Sequence, residues 1–261
     1  MDITQIYDEL VADHFDEDLF EIHQDSRAQA LGQIQRQGRQ GALHILDLGM
    51  GTGAGLLQLA EVFPQAKFHG VELSQKMIAT AERKFAEKNQ QVHVIHEDAN
   101  RFGVHITSAQ MDLIIIHFVL NYVDRPRLMT EAFRCLKPGG LFSVASSTHQ
   151  CFAGLHGIAA QFVPPEQINA QRLIPEDIDE LEADLKQAGF QVAEKQLFRK
   201  PVTFEDFDHF YHFAMHSGWL ADPLFLQHMS REKIGIYREF AKSLFPFQDV
   251  FEAAIVLAEK A

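Results

Sequence analysis

The sequence is poor in cysteine and has no long apolar run, and each shortage excludes a class of protein. Two cysteines, Cys135 and Cys151, are too few for a disulfide framework or a clustered zinc site, which suits a reducing cytosol. No apolar stretch reaches the roughly 18 residues of a membrane-spanning helix, so we expect no membrane association. The N-terminus is acidic where a secretory leader needs a basic start, and we expect a cytoplasmic protein.

Positive charge is also scarce, with 23 Lys and Arg against 36 Asp and Glu and a formal net charge of -13. Binders of nucleic acid usually cover its phosphates with Lys and Arg, so nucleic acid is not an expected partner. With 46% hydrophobic residues, the 261-residue chain can bury an ordinary core, which excludes disordered and fibrous classes. A small molecule or a protein remains as the expected partner, and the oligomeric state stays open.

From residue 42 onward, apolar segments of strand length alternate with helix-like segments. The predicted strands are Leu43–Leu48, Lys67–Glu72, Val92–His96, Met111–His117, Leu141–Ser146, Phe190–Phe198 and Val250–Ala258. The predicted helices are Gly55–Phe63, Gln75–Lys88, Arg125–Leu136 and Pro175–Ala188. Such alternation is typical of an α/β fold, in which crossover helices connect parallel strands.

One domain with additions is the simplest organisation of the chain. Residues 1–40 predict an N-terminal helical cap, with one buried face formed by Ile6, Leu10, Phe15, Leu19 and Ile22. Residues 148–174 predict a substrate loop after the fifth strand, because loops at that edge commonly carry specificity. The aromatic segment 204–245 predicts a helical insert between the last two strands.

The most informative local pattern is a glycine-rich turn, Leu46-Asp47-Leu48-Gly49-Met50-Gly51-Thr52-Gly53, between a predicted strand and a predicted helix. Glycines allow positive φ and let a ligand lie against the backbone, and amides at a helix start attract anionic or polar groups. The same turn satisfies the dinucleotide fingerprint through Gly49, Gly51 and Ala54. On the glycines alone, a nicotinamide oxidoreductase is therefore possible.

Carboxylates around the turn favour a different ligand. Asp47 would meet a pyrophosphate as a like charge, at a cost on the order of 1 kcal/mol or more. It would instead attract a ligand with a sulfonium and an α-ammonium group, such as S-adenosylmethionine. Glu72 ends the second strand, where an acid usually accepts hydrogen bonds from ribose hydroxyls. Asp98 follows the third strand, where a carboxylate can accept from an adenine amino group.

In their order and content, these segments resemble the class I S-adenosylmethionine-dependent methyltransferases. The matching segments are the glycine turn, Gly70-Val71-Glu72-Leu73-Ser74, Asp98-Ala99, Met111–His117 and Leu136-Lys137-Pro138-Gly139-Gly140. The resemblance implies a Rossmann-like seven-stranded mixed sheet of order 3-2-1-4-5-7-6, with the last strand antiparallel and helices on both faces. It also implies a single methyltransferase domain over residues 1–261 and S-adenosylmethionine as cofactor.

The resemblance further implies which residues contact the cofactor. Asp47 would hold the ammonium group, Glu72 the ribose and Asp98 the adenine edge. The full set of implied contacts is Tyr7, Asp47, Gly49, Gly51, Gly53, Glu72, Leu73, Met77, Asp98, Ala99, His117 and Phe118.

The candidates for a direct role in the chemistry are His117, His149 and Tyr122. A sulfonium methyl is already electrophilic, so the protein must mainly align the nucleophile with it and exclude water. A hydroxyl or acidic carbon nucleophile also needs a base, for which histidine is suited, whereas a carboxylate is already ionised. The alternative for all three residues is that they only line the pocket.

His209, His212 and His216 share one face of the predicted insert helix. Imidazoles at this spacing can converge on a metal ion. The alternative is an amphipathic lid whose histidines are hydrogen-bonded or solvated. Because no cysteine or well-placed acid joins them in the sequence, we expect no metal.

The sequence thus predicts methyl transfer to a small molecule or a carrier-linked acyl group, with O-methylation by in-line displacement as the first choice. C- or N-methylation of a small metabolite is one alternative. A cofactor-binding regulatory or partner protein without turnover is another. The predicted insert looks similar to that of the malonyl-carrier methyltransferases that form methyl esters.

Overall fold

Seven strands form one mixed sheet in the computed structural model, which describes residues 2–159, 173–218, 234–235, 238–239 and 241–261. In chain order they are β1 (His44–Leu48), β2 (Lys67–Glu72), β3 (Val92–His96), β4 (Met111–His117), β5 (Leu136–Ser147), β6 (Phe190–Phe204) and β7 (Phe247–Lys260). The spatial order is β3-β2-β1-β4-β5-β7-β6, and β7 is antiparallel to both of its neighbours. The predicted fold is therefore confirmed.

Helices pack on both faces of the sheet. They are α1 (Ile3–Ile6), α2 (Ile22–Arg36), α3 (Ala54–Val62), α4 (Gln75–Glu87), α5 (Arg125–Cys135), α6 (Ala153–Ala159), α7 (Ile178–Gln187) and α8 (Phe207–His216). Shorter turns are the π-helical Tyr7–Val11 and the 3-10 helices Phe15–Glu17, Ala99–Val104, Leu120–Tyr122 and Lys242–Leu244. Across the described ranges, none of the helices combines the length and apolar character needed to span a bilayer.

Alternation along the strands divides the core into two layers. Successive side chains of a strand point to opposite faces. In β1, Leu46 and Leu48 pack into the layer under α5 and α7, while Ile45 packs with α2, α3 and α4. Because both faces of the central strands are covered, these strands are apolar along most of their length, as buried parallel strands usually are.

Side-chain caps define where the helices begin. The Ser74 hydroxyl accepts from the Met77 amide at the start of α4, and Asp206 accepts from the His209 amide at the start of α8. Asp177 caps α7, so this helix begins at Ile178 and not at Pro175 as the sequence predicts. Gly189 ends it at φ 100°, as predicted.

The N-terminal 40 residues do not form the continuous helical face that the sequence predicts. Asp18 and Glu21 have φ values of 38° and 54°, and this left-handed backbone separates α1 and the first turns from α2. Ile6 and Ile22 are buried, but Leu19 is 41% exposed. The predicted single buried face is therefore wrong at Leu19.

Three strands extend beyond their predicted ends. β5 begins at Leu136, so the segment Lys137–Gly140, which lies before the predicted strand, belongs to it. The β6–β7 ladder continues to the pair Phe204 and Phe247. The chain between β6 and β7 is thus residues 205–246. Residues 160–172 of the predicted substrate loop, and residues 219–233, 236–237 and 240 of the predicted insert, lie outside the described residues.

Candidate functional site

A cavity of about 200 Å³ lies at the carboxyl ends of the central strands. β1 pairs with β2 on one side and with β4 on the other, so the cavity lies where open α/β sheets bind ligands. Most of the predicted cofactor and catalytic residues line it: Tyr7, Asp47, Gly49, Gly51, Glu72, Leu73, Met77, Asp98, Ala99, His117, Phe118 and Tyr122. The fold brings these residues together from the N-terminal segment, from the ends of β1, β2 and β4, and from the segments that follow the first four strands.

The glycine turn is held in a conformation that only glycine fits. Gly49 has a φ of 74°, and a Cβ added there would lie 2.4 Å from Cγ2 of Val119. Gly53 has a φ of 78° at the start of α3, and its Cβ would lie 2.4 Å from Cζ of Phe85. Gly53 is not among the cavity-lining residues, so its observed role is to let α3 pack against Phe85 of α4.

Glu72 connects the end of β2 to the glycine turn. Its Oε2 accepts from the Gly51 amide at 2.9 Å, and its Oε1 accepts from the amides of Leu73 at 2.8 Å and Ser74 at 2.9 Å. Burial raises the pKa of Glu72, and the three amide donors oppose that effect. A carboxylate oxygen can accept two hydrogen bonds, so Oε2 retains capacity for a ligand hydroxyl.

Asp47 faces the cavity beside a cation that the sequence analysis missed. The Asp47 carboxylate is 5% exposed, and burial together with the nearby Glu72 charge raises its pKa to about 7. Arg27 of α2 opposes this shift and also lines the cavity. A Cβ added at Gly55 would lie 3.3 Å from Oδ2 of Asp47 and 3.9 Å from Cδ of Arg27, so both side chains border one small volume.

Arg27 has unused hydrogen-bonding capacity at this position. Its Nε is buried and has no hydrogen-bond partner in the described part of the chain. A carboxylate and a guanidinium side by side match an α-amino acid group, which presents an ammonium and a carboxylate on one carbon. The position of Arg27 depends on how α2 packs against the sheet, and no local motif marks it in the sequence.

Asp98 contributes a polar side chain to the cavity lining, beside the apolar side chains of Leu73 and Met77. Oδ1 of Asp98 accepts from the backbone amide of Asn100 at 2.8 Å and from its side chain at 2.9 Å. Oδ2 of Asp98 accepts no hydrogen bond from the described residues and lies on a cavity-lining side chain. Leu73 and Met77 add apolar surface nearby.

β4 and α2 contribute two imidazoles, His117 and His23, to the cavity lining. His117 ends β4, and its Nε2 lies 3.1 Å from Oγ of Ser143 on β5. Burial lowers the pKa of His117 to about 3, with Arg27 adding to the effect, and burial also lowers the pKa of His23 to about 4. Both rings are therefore uncharged near pH 7 and are weak bases.

Phe118 has a strained backbone at the cavity wall. Its φ is 61°, a left-handed value that a bulky aromatic residue rarely adopts, while its amide donates to the Ala145 carbonyl at 2.7 Å. Its ring lies 5.2 Å from that of His23 and 6.0 Å from that of Phe251. Such strain persists where surrounding contacts impose it, and it is concentrated at functional sites.

Three separate segments meet over the cavity in a roof formed by Tyr7, Tyr122 and Gly218. The two tyrosine hydroxyls are 3.3 Å apart, and that of Tyr122 donates to the Gly218 carbonyl at 3.4 Å. Burial and the neighbouring Tyr122 raise the pKa of Tyr7, so its phenol stays protonated. The roof therefore joins the N-terminal segment, the loop after β4 and the insert.

Acidic side chains of the N-terminal segment bind the glycine turn and α4. Asp8 accepts from the Ser74 hydroxyl and, at 3.2 Å, from the Lys76 amide. Asp16 accepts from the Thr52 hydroxyl at 2.7 Å and pairs with Lys84 at 2.6 Å. These contacts hold Tyr7 over the cavity.

The structure does not bring His149 to the cavity. Its amide donates to the Glu176 carbonyl at 3.2 Å, and its ring lies close enough to Glu180 to influence that carboxylate. His149 is absent from the described cavity lining, unlike His117 and Tyr122. Its predicted catalytic role has no geometric support.

Comparison with known proteins adds three findings. Residues 45–140 match the family model described as a methyltransferase domain, and this range includes Asp47, Glu72 and Asp98. The chain is 27% identical over 177 residues to a ubiquinone/menaquinone biosynthesis C-methyltransferase of Syntrophotalea carbinolica, covering 62% of this chain and 74% of that relative. It is 30% identical over 130 residues to a malonyl-[acyl-carrier protein] O-methyltransferase of Halalkalibacterium halodurans, covering 49% of this chain and 48% of that relative.

A solved structure shares the whole architecture. The crystal structure of a Bacillus halodurans protein proposed to be a methyltransferase superposes with a TM-score of 0.62 and 18% identity. The superposition covers 89% of this chain and 99% of that one. At this level of identity the likeness concerns the fold.

Proposed function

We propose that the chain is a class I S-adenosylmethionine-dependent methyltransferase and that it methylates an ionised carboxylate of a small or carrier-linked acyl substrate. The observation that carries the proposal is the contrast between the two walls of one cavity. One wall presents Asp47, Glu72 and Asp98 from adjacent strands, and the other presents the neutral imidazoles of His23 and His117.

The residues present fit the cofactor. The ammonium and carboxylate of its amino acid end match Asp47 and Arg27, its ribose hydroxyls match Glu72, and its adenine amino group matches Oδ2 of Asp98. When bound, S-adenosylmethionine supplies an electrophilic methyl group on a sulfonium. The roof over the cavity would limit the access of water, and the walls would align the acceptor with the methyl carbon, a contribution worth roughly 7–11 kcal/mol in favourable cases.

We call the part of the cavity lined by His23 and His117 the acceptor wall. It favours a nucleophile that needs no deprotonation. A general base works best with a pKa near the operating pH, whereas His117 and His23 have pKa values of about 3 and 4. Asp47 has a pKa of about 7, but in this scheme it faces the cofactor ammonium. A carboxylate is ionised at neutral pH and only has to be placed. The similarity to an O-methyltransferase that acts on a malonyl carrier supports the same class of acceptor.

An alkali-lability assay tests the chemical class of the product. The protein is incubated with methyl-labelled S-adenosylmethionine and a panel comprising a dicarboxylic monothioester, a catechol and a primary amine. We expect label to be transferred to the thioester's free carboxylate and then released as methanol by mild alkali, because a methyl ester hydrolyses under those conditions. Label that survives alkali on oxygen, nitrogen or carbon would contradict the proposal. Tight cofactor binding with no transfer to any acceptor would favour a regulatory protein.

C-methylation is the alternative that a specific observation favours, namely the similarity to a relative named as a C-methyltransferase. An acidic carbon needs a proton acceptor, so this alternative requires a stronger base than His117 or His23, whose pKa values are lowered by burial. The same assay separates the two, because a carbon-bound methyl group is stable to alkali.

Cofactor affinity should depend on pH through Asp47. In the protein without ligand, the Asp47 carboxyl has a pKa of about 7. Only its ionised form pairs with an ammonium, so cofactor binding below pH 7 must release a proton from Asp47. We expect the dissociation constant for S-adenosylmethionine to rise by up to about tenfold per pH unit between pH 7 and pH 5. Calorimetric titration across this range measures the slope. The Asp47→Asn variant should bind more weakly with a flatter profile, and an unchanged slope in that variant would contradict the assignment.

A further inference from the structure

A cluster of histidine and glutamate side chains lies outside the cavity, between the N-terminal segment and α8. His14 caps a 3-10 turn that ends at Glu17, and side chains three residues apart in such a turn eclipse one another. His212 and His216 are four residues apart on α8 and therefore share one helix face. The fold brings together two pairs that are about 200 positions apart in the sequence.

The potential ligand atoms converge on the Glu17 carboxylate. Nδ1 of His14 lies 2.6 Å from Oε1 of Glu17, and Nε2 of His212 lies 2.8 Å from its Oε2. The three ligand atoms of this group all lie within 4.8 Å of one another. His14, Glu17 and His212 are between one-third and one-half exposed, so an ion from solvent can reach them.

His216 lies against the same group and has a defined tautomer. Its Nδ1 donates to the Leu10 carbonyl at 2.9 Å, which assigns the lone pair to Nε2. Metal-binding histidines commonly donate their other ring N–H to a backbone carbonyl in this way. The His216 ring lies 4.0 Å from the His14 ring and 4.7 Å from the His212 ring, measured between centroids.

We propose that His14, Glu17 and His212 form a binding site for a divalent transition metal of the zinc type, with His216 beside the open coordination position. Two imidazoles, one carboxylate and an open position are a common zinc ligand set. Tetrahedral bonds of 2.0–2.1 Å place ligand atoms about 3.4 Å apart, a separation within the 4.8 Å over which the three ligand atoms lie. A cavity of about 20 Å³ bordered by the cluster has room for one water molecule.

The sequence analysis expected no metal because it found no acid near His209, His212 and His216, and the structure shows a different set of neighbours. His209 does not join the cluster, because its ring packs against Phe20 and its Nδ1 accepts from the Glu205 amide at 3.3 Å. Glu17 supplies the acid that the helix alone lacks. A metal there would tie the N-terminal segment that carries Tyr7 to the insert that carries Gly218, and any effect on cofactor release rests on the proposed function.

Metal titration without cofactor tests the site independently of methyl transfer. Metal-free protein is titrated with Zn²⁺ by calorimetry and with Co²⁺ by its visible absorption, and bound zinc is counted after dialysis. We expect one ion per chain, and about 100-fold weaker binding in His212→Ala and in Glu17→Gln. The matched control is His209→Gln on the same helix, which should retain the affinity.

Three results would overturn the metal site. They are the absence of stoichiometric metal in the wild type, equal losses in His209→Gln and His212→Ala, and binding that survives Glu17→Gln together with His14→Ala. A rise in the unfolding temperature on adding Zn²⁺, present in the wild type and absent in His212→Ala, provides a second readout. None of these measurements depends on whether the protein transfers methyl groups.

Discussion

Replacing Glu72 with Gln should weaken the binding of S-adenosylmethionine by about 100-fold, since one charge-assisted hydrogen bond to the ligand and one to the glycine turn are lost, together worth about 3 kcal/mol or more. The two Glu72 oxygens accept three backbone amides, from Gly51, Leu73 and Ser74. A glutamine NH₂ group would have to face at least one of these N–H donors, so the glycine turn loses an anchor. The ribose hydroxyls lose a charged acceptor at the same time. Calorimetric titration of the folded variant measures the loss.

The control for this prediction is His149→Ala. His149 is not part of the described cavity lining, and its amide bond to the Glu176 carbonyl survives the substitution. Its cofactor affinity should stay within about twofold of the wild type, the range typical of substitutions remote from a site. Equal losses in the two variants would contradict the proposed role of Glu72 in binding the cofactor.

Arg27→Met should reduce the affinity for S-adenosylmethionine by about 30-fold, since loss of a hydrogen-bonded charge pair costs about 2 kcal/mol. Methionine keeps an apolar stem of similar length, so the packing of α2 is largely retained. The informative comparison is with the decarboxylated analogue of the cofactor, which lacks the group that Arg27 is expected to bind. Wild-type protein should prefer the intact cofactor, and the variant should bind both ligands similarly.

The Arg27→Met variant also distinguishes carboxylate binding from two other roles that Arg27 could have in the cavity. If the variant lost affinity for both ligands equally, Arg27 would be shaping the pocket and not pairing with the carboxylate. If it bound both as tightly as the wild type but slowed methyl transfer, Arg27 would belong to the acceptor site. The predicted outcome is a loss confined to the ligand that carries the carboxylate.

The central sheet and the acidic residues were predictable because their determinants are local. β2, β3 and β4 have their predicted ends, since each is a short apolar run bounded by charged or turn residues. Asp47, Glu72 and Asp98 could be identified because each lies at or just beyond the carboxyl end of a strand that the pattern defines. Parallel strands then bring their carboxyl ends to one edge without further information.

Features that depend on tertiary pairing were not predictable in the same way. β6 is an edge strand with exposed polar residues along much of its length, so its last residues look like loop until they pair with β7. Arg27 and the cluster of His14, Glu17 and His212 become visible only when α2, the N-terminal segment and α8 are packed on the sheet. Leu19 was misassigned because left-handed residues on either side of it interrupt the helical period.

The proposed function depends most on which ligand the cavity binds, and calorimetric titration identifies that ligand directly. S-adenosylmethionine, S-adenosylhomocysteine, NAD and NADP are each titrated into the purified protein at neutral pH. Both sulfur nucleosides should bind at one per chain, and the two dinucleotides should give no binding heat. Binding of a dinucleotide with no affinity for either sulfur nucleoside would contradict the account.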